Sequence, residues 1–223
     1  MTQTEQGYSI YDQIFERSEM AHAVAELAIA GMDRTKAGAR HVLNVPLVRE
    51  LADDQRLMRI ARQFVGPAAV PFRATLFEKS RTANWLVVWH QDTALPLRRH
   101  IDDAEWGPWS TKAGVRYVHA PAWALESVVA LRISLDDSTP TNGPLRVLPN
   151  THLAGVFSDE QIQQLSREKA PVDCVTASGG VVAMRPLTVH ASSKSIDDQP
   201  RRVLHIEYAA TVNLGPGVEL AVG

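Results

Sequence analysis

The stretch Trp85-Leu86-Val87-Val88-Trp89-His90-Gln91-Asp92 has the composition of a β-strand that ends in polar side chains. Side chains two positions apart point to the same face of a strand. His90 and Asp92 are therefore expected to lie side by side, with Gln91 on the opposite face. An imidazole and a carboxylate in this arrangement are either two ligands of a metal site or a hydrogen-bonded pair at a strand end. The rest of the chain decides between these interpretations.

A series of short apolar runs follows residue 70 and indicates further strands. The runs are rich in β-branched or aromatic residues and occupy 70–78, 84–90, 128–135, 145–148, 172–176, 181–184 and 201–211. Gly, Pro, Asn or Asp separates most of them, and Asn142-Gly143-Pro144 and Ser178-Gly179-Gly180 are strong turn signals. Seven or eight short strands joined by turns predict a sandwich or a barrel.

The first third of the chain has helical periodicity instead. One helix is predicted from a cap at Ser18 to about residue 31, and a second over about 48–64. A short third helix is predicted at 158–168, where Ser158-Asp159-Glu160-Gln161 resembles a capping box. The fold class is therefore expected to be mainly β, with flanking helices that cover one face of the β core.

We expect a single domain over residues 1–223, with a mainly helical part at 1–69 and the β core at 70–211. About 35 residues, 93–127, lie between two predicted strands without a clear pattern of their own. Connections of roughly this length are often lids or binding loops. The segment is predicted to be a lid whose aromatic residues either form a wall over a substrate or anchor the lid itself: Trp106 and Trp109.

Composition narrows the possible partners. Hydrophobic residues make up 45% of the chain, which is enough for a substantial core. The 23 basic and 25 acidic residues are nearly balanced, so neither a nucleic-acid nor a membrane partner is expected. Cys174 is the single cysteine, which excludes an internal disulfide and suits a cytoplasmic protein. Residues 1–20 show no secretory signal. Monomer and homodimer both remain open.

A metal site needs a third ligand besides His90 and Asp92. The candidates are His100, His119, His152, His190 and His205. His190 follows a buried-looking strand and a proline turn, and Arg201 opens another strand eleven residues later. Non-haem iron(II) oxygenases bind their metal through two histidines and one carboxylate, which leaves one face open for cosubstrate and dioxygen. An arginine on a neighbouring strand can bind a carboxylate through two parallel hydrogen bonds.

With these residues the sequence resembles the phytanoyl-CoA dioxygenase-like family of iron(II)/2-oxoglutarate oxygenases. The resemblance extends from about residue 40 to 211. Its landmarks are Asn84-Trp85, Trp89-His90-Gln91-Asp92, Leu135-Asp136-Asp137, Asn142-Gly143-Pro144-Leu145, Val147-Leu148-Pro149-Asn150-Thr151-His152, His190-Ala191-Ser192 and Arg201. The resemblance implies a double-stranded β-helix, that is, a cupin-like jelly roll of two facing sheets.

The same resemblance implies roles for individual residues. The Fe(II) ligands of the family fall on His90, Asp92 and His190. The arginine that binds the far carboxylate of 2-oxoglutarate falls on Arg201. Arg202 competes for this role, but neighbours on a strand face opposite ways and the family register favours Arg201. The hydroxyl residue of the cosubstrate site falls on Ser192.

The implied activity is that of an Fe(II)- and 2-oxoglutarate-dependent dioxygenase. 2-Oxoglutarate and dioxygen (O2) give succinate and carbon dioxide, and an unactivated C–H bond of a small-molecule metabolite is hydroxylated. Asp92 favours hydroxylation over halogenation, because related halogenating enzymes have a small residue at this position. Desaturation, ring closure and epimerisation use the same ligands and remain open. Two alternatives come from other classes: a cupin-like metal-dependent isomerase or lyase, and a non-catalytic ligand-binding jelly roll.

Three basic residues on predicted strands have two interpretations each. Arg132 lies among apolar residues at 128–135, and it is either solvated or a buried contact for the anionic group of a cosubstrate or substrate. Arg73 and Lys79 share one face of the strand predicted at 71–79. They are assigned to a solvated edge, and the alternative is that they line the mouth of the cavity.

Two histidines and a group of basic residues are assigned as follows. His152 is predicted to be a structural hydrogen-bonding residue at the rim, and His205 a residue of the last strand that is not a ligand. The basic residues of the predicted lid suggest a moderately apolar substrate with an acidic group: Arg98, Arg99, Lys112 and Arg116.

Overall fold

The computed structural model describes residues 6–35, 37–80 and 83–223. The α-helices in these residues are α1 (Arg17–Ile29), α2 (Pro46–Asp53), α3 (Gln55–Val65), α4 (Ala122–Glu126) and α5 (Asp159–Glu168). None of these helices is long and apolar enough to cross a membrane. The strands are β1 (Tyr8–Tyr11), β2 (Arg34–Thr35), β3 (Gly38–Arg40), β4 (Val70–Lys79), β5 (Val87–His90), β6 (Ala94–Pro96), β7 (Trp109–Lys112), β8 (Val115–His119), β9 (Val128–Ser134), β10 (Leu145–Val147), β11 (Val172–Cys174), β12 (Val181–Met184), β13 (His190–Ser192), β14 (Arg201–Ala209), β15 (Asn213–Gly215) and β16 (Val218–Glu219).

Two antiparallel sheets form the core of the fold. The larger sheet has the strand order β1-β12-β9-β14-β4-β3-β2, and the smaller one β11-β10-β13-β5. Many neighbouring strands, such as β9 and β14 or β13 and β5, are not consecutive in sequence, because the chain passes repeatedly from one sheet to the other. Side chains of both sheets line a single cavity between them. The fold is therefore the predicted double-stranded β-helix, mainly β with flanking helices.

The N-terminal helices cover the outer face of the larger sheet. Leu204, Ile206 and Tyr208 of β14 belong to one buried cluster with side chains of α1, α2 and α3. The Tyr208 hydroxyl also donates a hydrogen bond of 2.9 Å to the Ala52 carbonyl of α2. Alternate residues of β14, such as His205, point to the opposite face, towards the smaller sheet. Both faces of the larger sheet are thus covered, one by helices and the other by strands.

The segment 93–127 has more regular structure than its sequence predicts. Strands β6, β8 and β7 form a separate three-stranded sheet, and α4 follows it. Trp106 is 5% exposed and lies in a cluster with Leu95, Leu125 and Leu220. The expectation of an irregular connection was therefore wrong, because buried apolar side chains of this segment pack against C-terminal residues such as Leu220.

Two helix boundaries differ from their predictions, and each difference has a local cause. The region 48–64 forms two helices, because the Asp54 side chain accepts a hydrogen bond from the Arg56 amide (2.7 Å) and caps α3. Helix α1 starts two residues earlier than expected, with Glu16 at the cap position instead of Ser18. The capping box at Ser158 is confirmed: its hydroxyl accepts a hydrogen bond from the Gln161 amide at the start of α5.

Candidate metal centre and its cavity

Strand pairing brings the two key histidines together. β13 pairs with β5 in antiparallel register so that His190 lies directly opposite His90. The pairing continues past β5, because the Asp92 amide donates a hydrogen bond to the Pro186 carbonyl (3.0 Å). Candidate ligand atoms of His90, Asp92 and His190 all lie within 4.8 Å of one another. The structure thus unites the three side chains that the sequence selects.

Backbone hydrogen bonds orient both imidazoles. Nδ1 of His90 lies 2.8 Å from the Val88 carbonyl, and Nδ1 of His190 lies 2.9 Å from the Thr188 carbonyl. A carbonyl only accepts, so each Nδ1 carries the proton and each Nε2 keeps its lone pair. The two Nε2 atoms lie 3.6 and 3.5 Å from the Asp92 carboxylate oxygens. Such carbonyl partners are the usual outer contacts of metal-binding histidines.

The protonation states also suit metal binding. Burial lowers the pKa of His190 to about 4, so this imidazole is neutral at pH 7. Burial opposes the charged form of Asp92, but the neighbouring His190 and His90 hold the pKa of its carboxyl well below the usual range. Burial acts against charge on His90 as well, but the neighbouring Asp92 carboxylate raises the pKa of His90. Two imidazole nitrogens and one carboxylate oxygen, all on one face of the metal ion, are the donor set of an iron(II) facial triad. The three residues therefore fit this metal.

Gln91 fixes the strand end beside these ligands. Its Nε2 donates to the Gly155 and Leu187 carbonyls at 2.9 and 2.7 Å. Its Oε1 accepts a hydrogen bond from the Phe157 amide at 2.8 Å. The amide group is fully used by backbone partners, which explains a buried polar residue between two candidate ligands.

The cavity has a volume of about 460 Å³, and its closed end is basic. Arg201 is 3% exposed, and its Nε donates to the Asn142 carbonyl at 3.3 Å. Arg202 points the other way and binds both carboxylate oxygens of Asp136 at 2.7 Å. Ser192 lines the cavity beside Arg201 and donates its hydroxyl proton to the Gly143 carbonyl at 2.8 Å.

Lys79 lies behind this basic end, and its assignment to a solvated edge was wrong. The side chain is 1% exposed, and Nζ donates to the Ser192 hydroxyl at 2.9 Å. Lys79 is the cross-strand neighbour of Arg201. Burial, together with Arg201 and Arg132, lowers the pKa of the Lys79 ammonium to about 8. Gly143, Ser192 and Ser193 lie against this ammonium, and the sequence pattern of β4 alone does not show these neighbours.

Arg132 lies in the cavity wall close to the candidate ligands, so its solvated interpretation was wrong. Its Nη1 lies 2.9 Å from Nδ1 of His205, and its guanidinium lies 5.5 Å from the centre of the Phe77 ring. Burial lowers the pKa of Arg132. Among the described residues, no carboxylate lies within ion-pair distance of Arg132 or of Arg201. A buried cation without an anionic partner is costly, which marks a place where an anion binds favourably.

Arg73 also lies inside, where it forms a buried ion pair with Glu207, so its assignment to a solvated edge was wrong. Nε and Nη2 of Arg73 each contact one carboxylate oxygen of Glu207. The two residues are cross-strand partners on β4 and β14. Burial raises the pKa of Glu207 in spite of Arg73. Sequence reasoning did not single out Glu207, because an acidic residue on an apolar strand gives no sign of its partner.

Several other candidate residues lie away from the ligands. His152 is buried outside the cavity, and its Nδ1 has no hydrogen-bond partner among the described residues. His100 stacks on Trp109 with ring centres 4.4 Å apart, and neither Trp109 nor Trp106 lines the cavity. These tryptophans anchor the segment 93–127 and do not form a wall over the site. Of the basic residues in that segment, only Lys112 reaches the cavity.

The sequence missed one residue of the cavity mouth, Arg40. It lies on β3, a three-residue strand that carries no strand signal of its own. The exposed lining residues Arg40, Lys112 and His119 mark the side on which the cavity opens to solvent.

A jelly roll with two histidines and one carboxylate in a basic cavity belongs to the class of facial-triad, non-haem metal proteins. The sequence profile of the family described as phytanoyl-CoA dioxygenase (PhyH) matches residues 19–203. The chain therefore belongs to the phytanoyl-CoA dioxygenase family. This membership and the site support an oxygenase-type enzyme. No protein with a curated description matches the chain in sequence.

Solved structures share the fold at low sequence identity. The non-haem α-ketoglutarate-dependent epimerase SnoN from nogalamycin biosynthesis is 19% identical, with a TM-score of 0.68, over 94% of this chain and 80% of SnoN. EctD from S. alaskensis is 21% identical, with a TM-score of 0.68, over 92% of this chain and 73% of EctD. The non-haem monooxygenase ThoJ is 19% identical, with a TM-score of 0.70, over 98% of this chain and 81% of ThoJ.

Proposed function

We propose that the protein is an Fe(II)- and 2-oxoglutarate-dependent dioxygenase that hydroxylates a C–H bond of a small-molecule metabolite. One observation carries the proposal: the facial triad of His90, Asp92 and His190 lines the same cavity as Arg201, a buried guanidinium without a carboxylate partner among the described residues. A metal site alone fits many activities. A metal site beside a buried binding place for a carboxylate fits an oxo-acid cosubstrate.

The proposed metal is iron, held by Nε2 of His90, Nε2 of His190 and the Asp92 carboxylate. A structure of EctD with bound iron is known among the proteins of similar fold, which supports this choice. When bound with 2-oxoglutarate and dioxygen, the iron supplies the oxidation of the substrate, with succinate and carbon dioxide as the other products. The protein itself contributes position, charge and a cavity that restricts access of water.

The cosubstrate contacts follow from the basic end of the cavity. Arg201 binds the far carboxylate of 2-oxoglutarate, and Ser192 adds its hydroxyl. Lys79 supports both, because its ammonium is bonded to Ser192 and lies across the strand from Arg201. Arg132 stabilises negative charge near the triad, since it lies half-buried in the wall beside His205 without an acidic partner among the described residues.

The test combines spectroscopy with variants. Anaerobic addition of iron(II) and then 2-oxoglutarate should produce a weak visible charge-transfer band, and air should convert 2-oxoglutarate to succinate. His90→Ala and Asp92→Ala should abolish succinate formation with little effect on thermal unfolding. Arg201→Ala should weaken 2-oxoglutarate binding by roughly tenfold or more, because a charge-assisted ion pair is lost. Arg202→Ala is the matched control and should leave that affinity unchanged.

Two results would contradict the proposal. No charge-transfer band with the native protein would favour a metal-dependent isomerase or lyase that needs no oxo acid. Normal succinate formation by Asp92→Ala would show that the triad is not the metal site. Incorporation of labelled oxygen from dioxygen into the product separates hydroxylation from desaturation, ring closure and epimerisation, which leave no such label.

A further inference from the structure

The mouth of the cavity is organised around one buried ring, that of Tyr117. Tyr117 is 1% exposed, and two cations approach its ring: Nζ of Lys112 and the guanidinium carbon of Arg73, each 5.2 Å from the ring centre. His41 packs against the same ring with centres 5.9 Å apart. The ring therefore contacts two of the cations that line the cavity.

Arg40 joins Lys112 at this opening. His41 follows Arg40 in the chain, and its Nε2 lies 3.3 Å from the Lys112 carbonyl, which links the end of β3 to the end of β7. Both Arg40 and Lys112 line the cavity. Burial lowers the pKa of Lys112, and Arg40 and Arg73 lower it further, whereas the more weakly acting Asp92 and Glu207 raise it.

The charges at the mouth are not balanced. Arg73 is neutralised by Glu207. Neither Arg40 nor Lys112 has a carboxylate within ion-pair distance in the described part of the chain. Five basic residues line the cavity against two acidic ones, Asp92 and Glu207. If the proposed function holds, the cosubstrate carboxylate is bound at the closed end by Arg201, so it leaves the charges at the mouth without a partner.

We propose that Arg40 and Lys112 together bind an acidic group of the substrate, a carboxylate or a phosphate, and that the substrate is therefore an anion. This substrate class rests on the proposed function, whereas the anion site itself does not. Arg40 and Lys112 approach the opening from different strands, so one acidic group between them gains two charge-assisted contacts. The aliphatic stems of the two side chains leave an apolar surface beside that group.

The experiment measures anion binding without turnover. Protein loaded with Mn(II) and saturated with 2-oxoglutarate is freed of unbound metal and titrated with inorganic phosphate, or with acetate in a second arm. Nuclear relaxation of phosphorus or of the acetate methyl protons reports approach to the paramagnetic ion. We expect saturable relaxation enhancement in the native protein, and about tenfold or more weaker binding in the variant Arg40→Ala/Lys112→Ala. The anion that binds more tightly indicates whether the acidic group of the substrate is a phosphate or a carboxylate.

The matched control is Arg116→Ala, because Arg116 neighbours Lys112 on the same small sheet but donates to the Arg98 carbonyl outside the cavity. It should bind both anions like the native protein. The proposal is overturned if the native protein shows no saturable enhancement, or if the double variant retains it. Two calorimetric titrations separate the two sites. Titration with 2-oxoglutarate shows whether the cosubstrate binds, and titration of the metal-free protein with phosphate shows whether the anion site binds.

Discussion

Replacement of Lys79 by methionine should make the protein more stable in the absence of ligand and worse at binding 2-oxoglutarate. Methionine has a similar length and no charge. Lys79 is 1% exposed, and its close neighbours are the cations Arg201 and Arg132 and the hydroxyl of Ser192. The variant removes a buried positive charge that repels two others, and it also removes a charge that favours an anionic ligand.

The pKa of Lys79 gives the magnitude. The change from an ordinary pKa of 10.5 to about 8 means that the folded state disfavours the ammonium by roughly 3 kcal/mol. Loss of the hydrogen bonds to Ser192 and Ser193 offsets about 1–2 kcal/mol of this gain. The unfolding free energy at pH 7 should therefore rise by about 1–2 kcal/mol. Because the folded pKa is the lower one, the unfolded chain binds more protons between about pH 8 and 10.5, and native stability rises with pH there.

Denaturant unfolding at pH 7 and at pH 10 measures the effect. The unfolding free energy of the variant should exceed that of the native protein at pH 7. This difference should shrink or reverse at pH 10, where Lys79 is neutral in the folded state. Lys169→Met, at an exposed position after α5, is the control and should show no such pH dependence. A variant that is less stable at pH 7 by an amount that does not change with pH would refute the electrostatic reasoning.

Two further substitutions test the interior and the segment 93–127. Arg73→Met leaves Glu207 buried without its partner and should cost about 3–5 kcal/mol at pH 8. The loss of unfolding free energy should be smaller at acid pH, because the pKa of Glu207 is raised and its carboxyl takes up a proton. Denaturant unfolding at pH 8 and at acid pH measures this difference. The double variant Arg73→Met/Glu207→Leu should recover most of the lost stability. Trp106→Ala should cost about 3–5 kcal/mol of unfolding free energy but leave the KM for 2-oxoglutarate unchanged, because Trp106 is a core residue outside the cavity. A large KM effect with little loss of stability would reverse that assignment.

Local sequence signals were enough to predict an element where several of them occur together. The strand predicted at 181–184 has the same bounds as β12, and the capping box at Ser158 starts α5 as expected. His90 and Asp92 could be paired from the sequence because their spacing alone places them on one face. The pairing of β13 with β5, which places His190 opposite His90, cannot be read from local sequence. His190 was identified through the family resemblance.

The sequence was least informative about which face of a strand is the interior. In β14, His205 and Glu207 alternate with Leu204, Ile206 and Tyr208. In an ordinary sheet with one wet face the charged set would be solvated, and the same reasoning placed Arg73 and Lys79 on a solvated edge. Here the helices cover the apolar set, and the charged set lines the cavity. Alternation identifies the residues that share a face, but only tertiary packing determines which face is enclosed.

An enclosed charged face also links stability to ligand binding. Arg201 is buried and Arg132 is half-buried, and neither has a carboxylate partner among the described residues. Apolar residues of similar size at such positions often give a more stable protein. If the proposed function holds, an anionic ligand and not the core accounts for these two cations. An anion that binds only the folded chain offsets this cost, and the unfolding free energy then rises with its concentration. It follows that 2-oxoglutarate should stabilise the native protein more than it stabilises Lys79→Met. Addition of 2-oxoglutarate should therefore reduce or reverse the difference in unfolding free energy that the two proteins show without it.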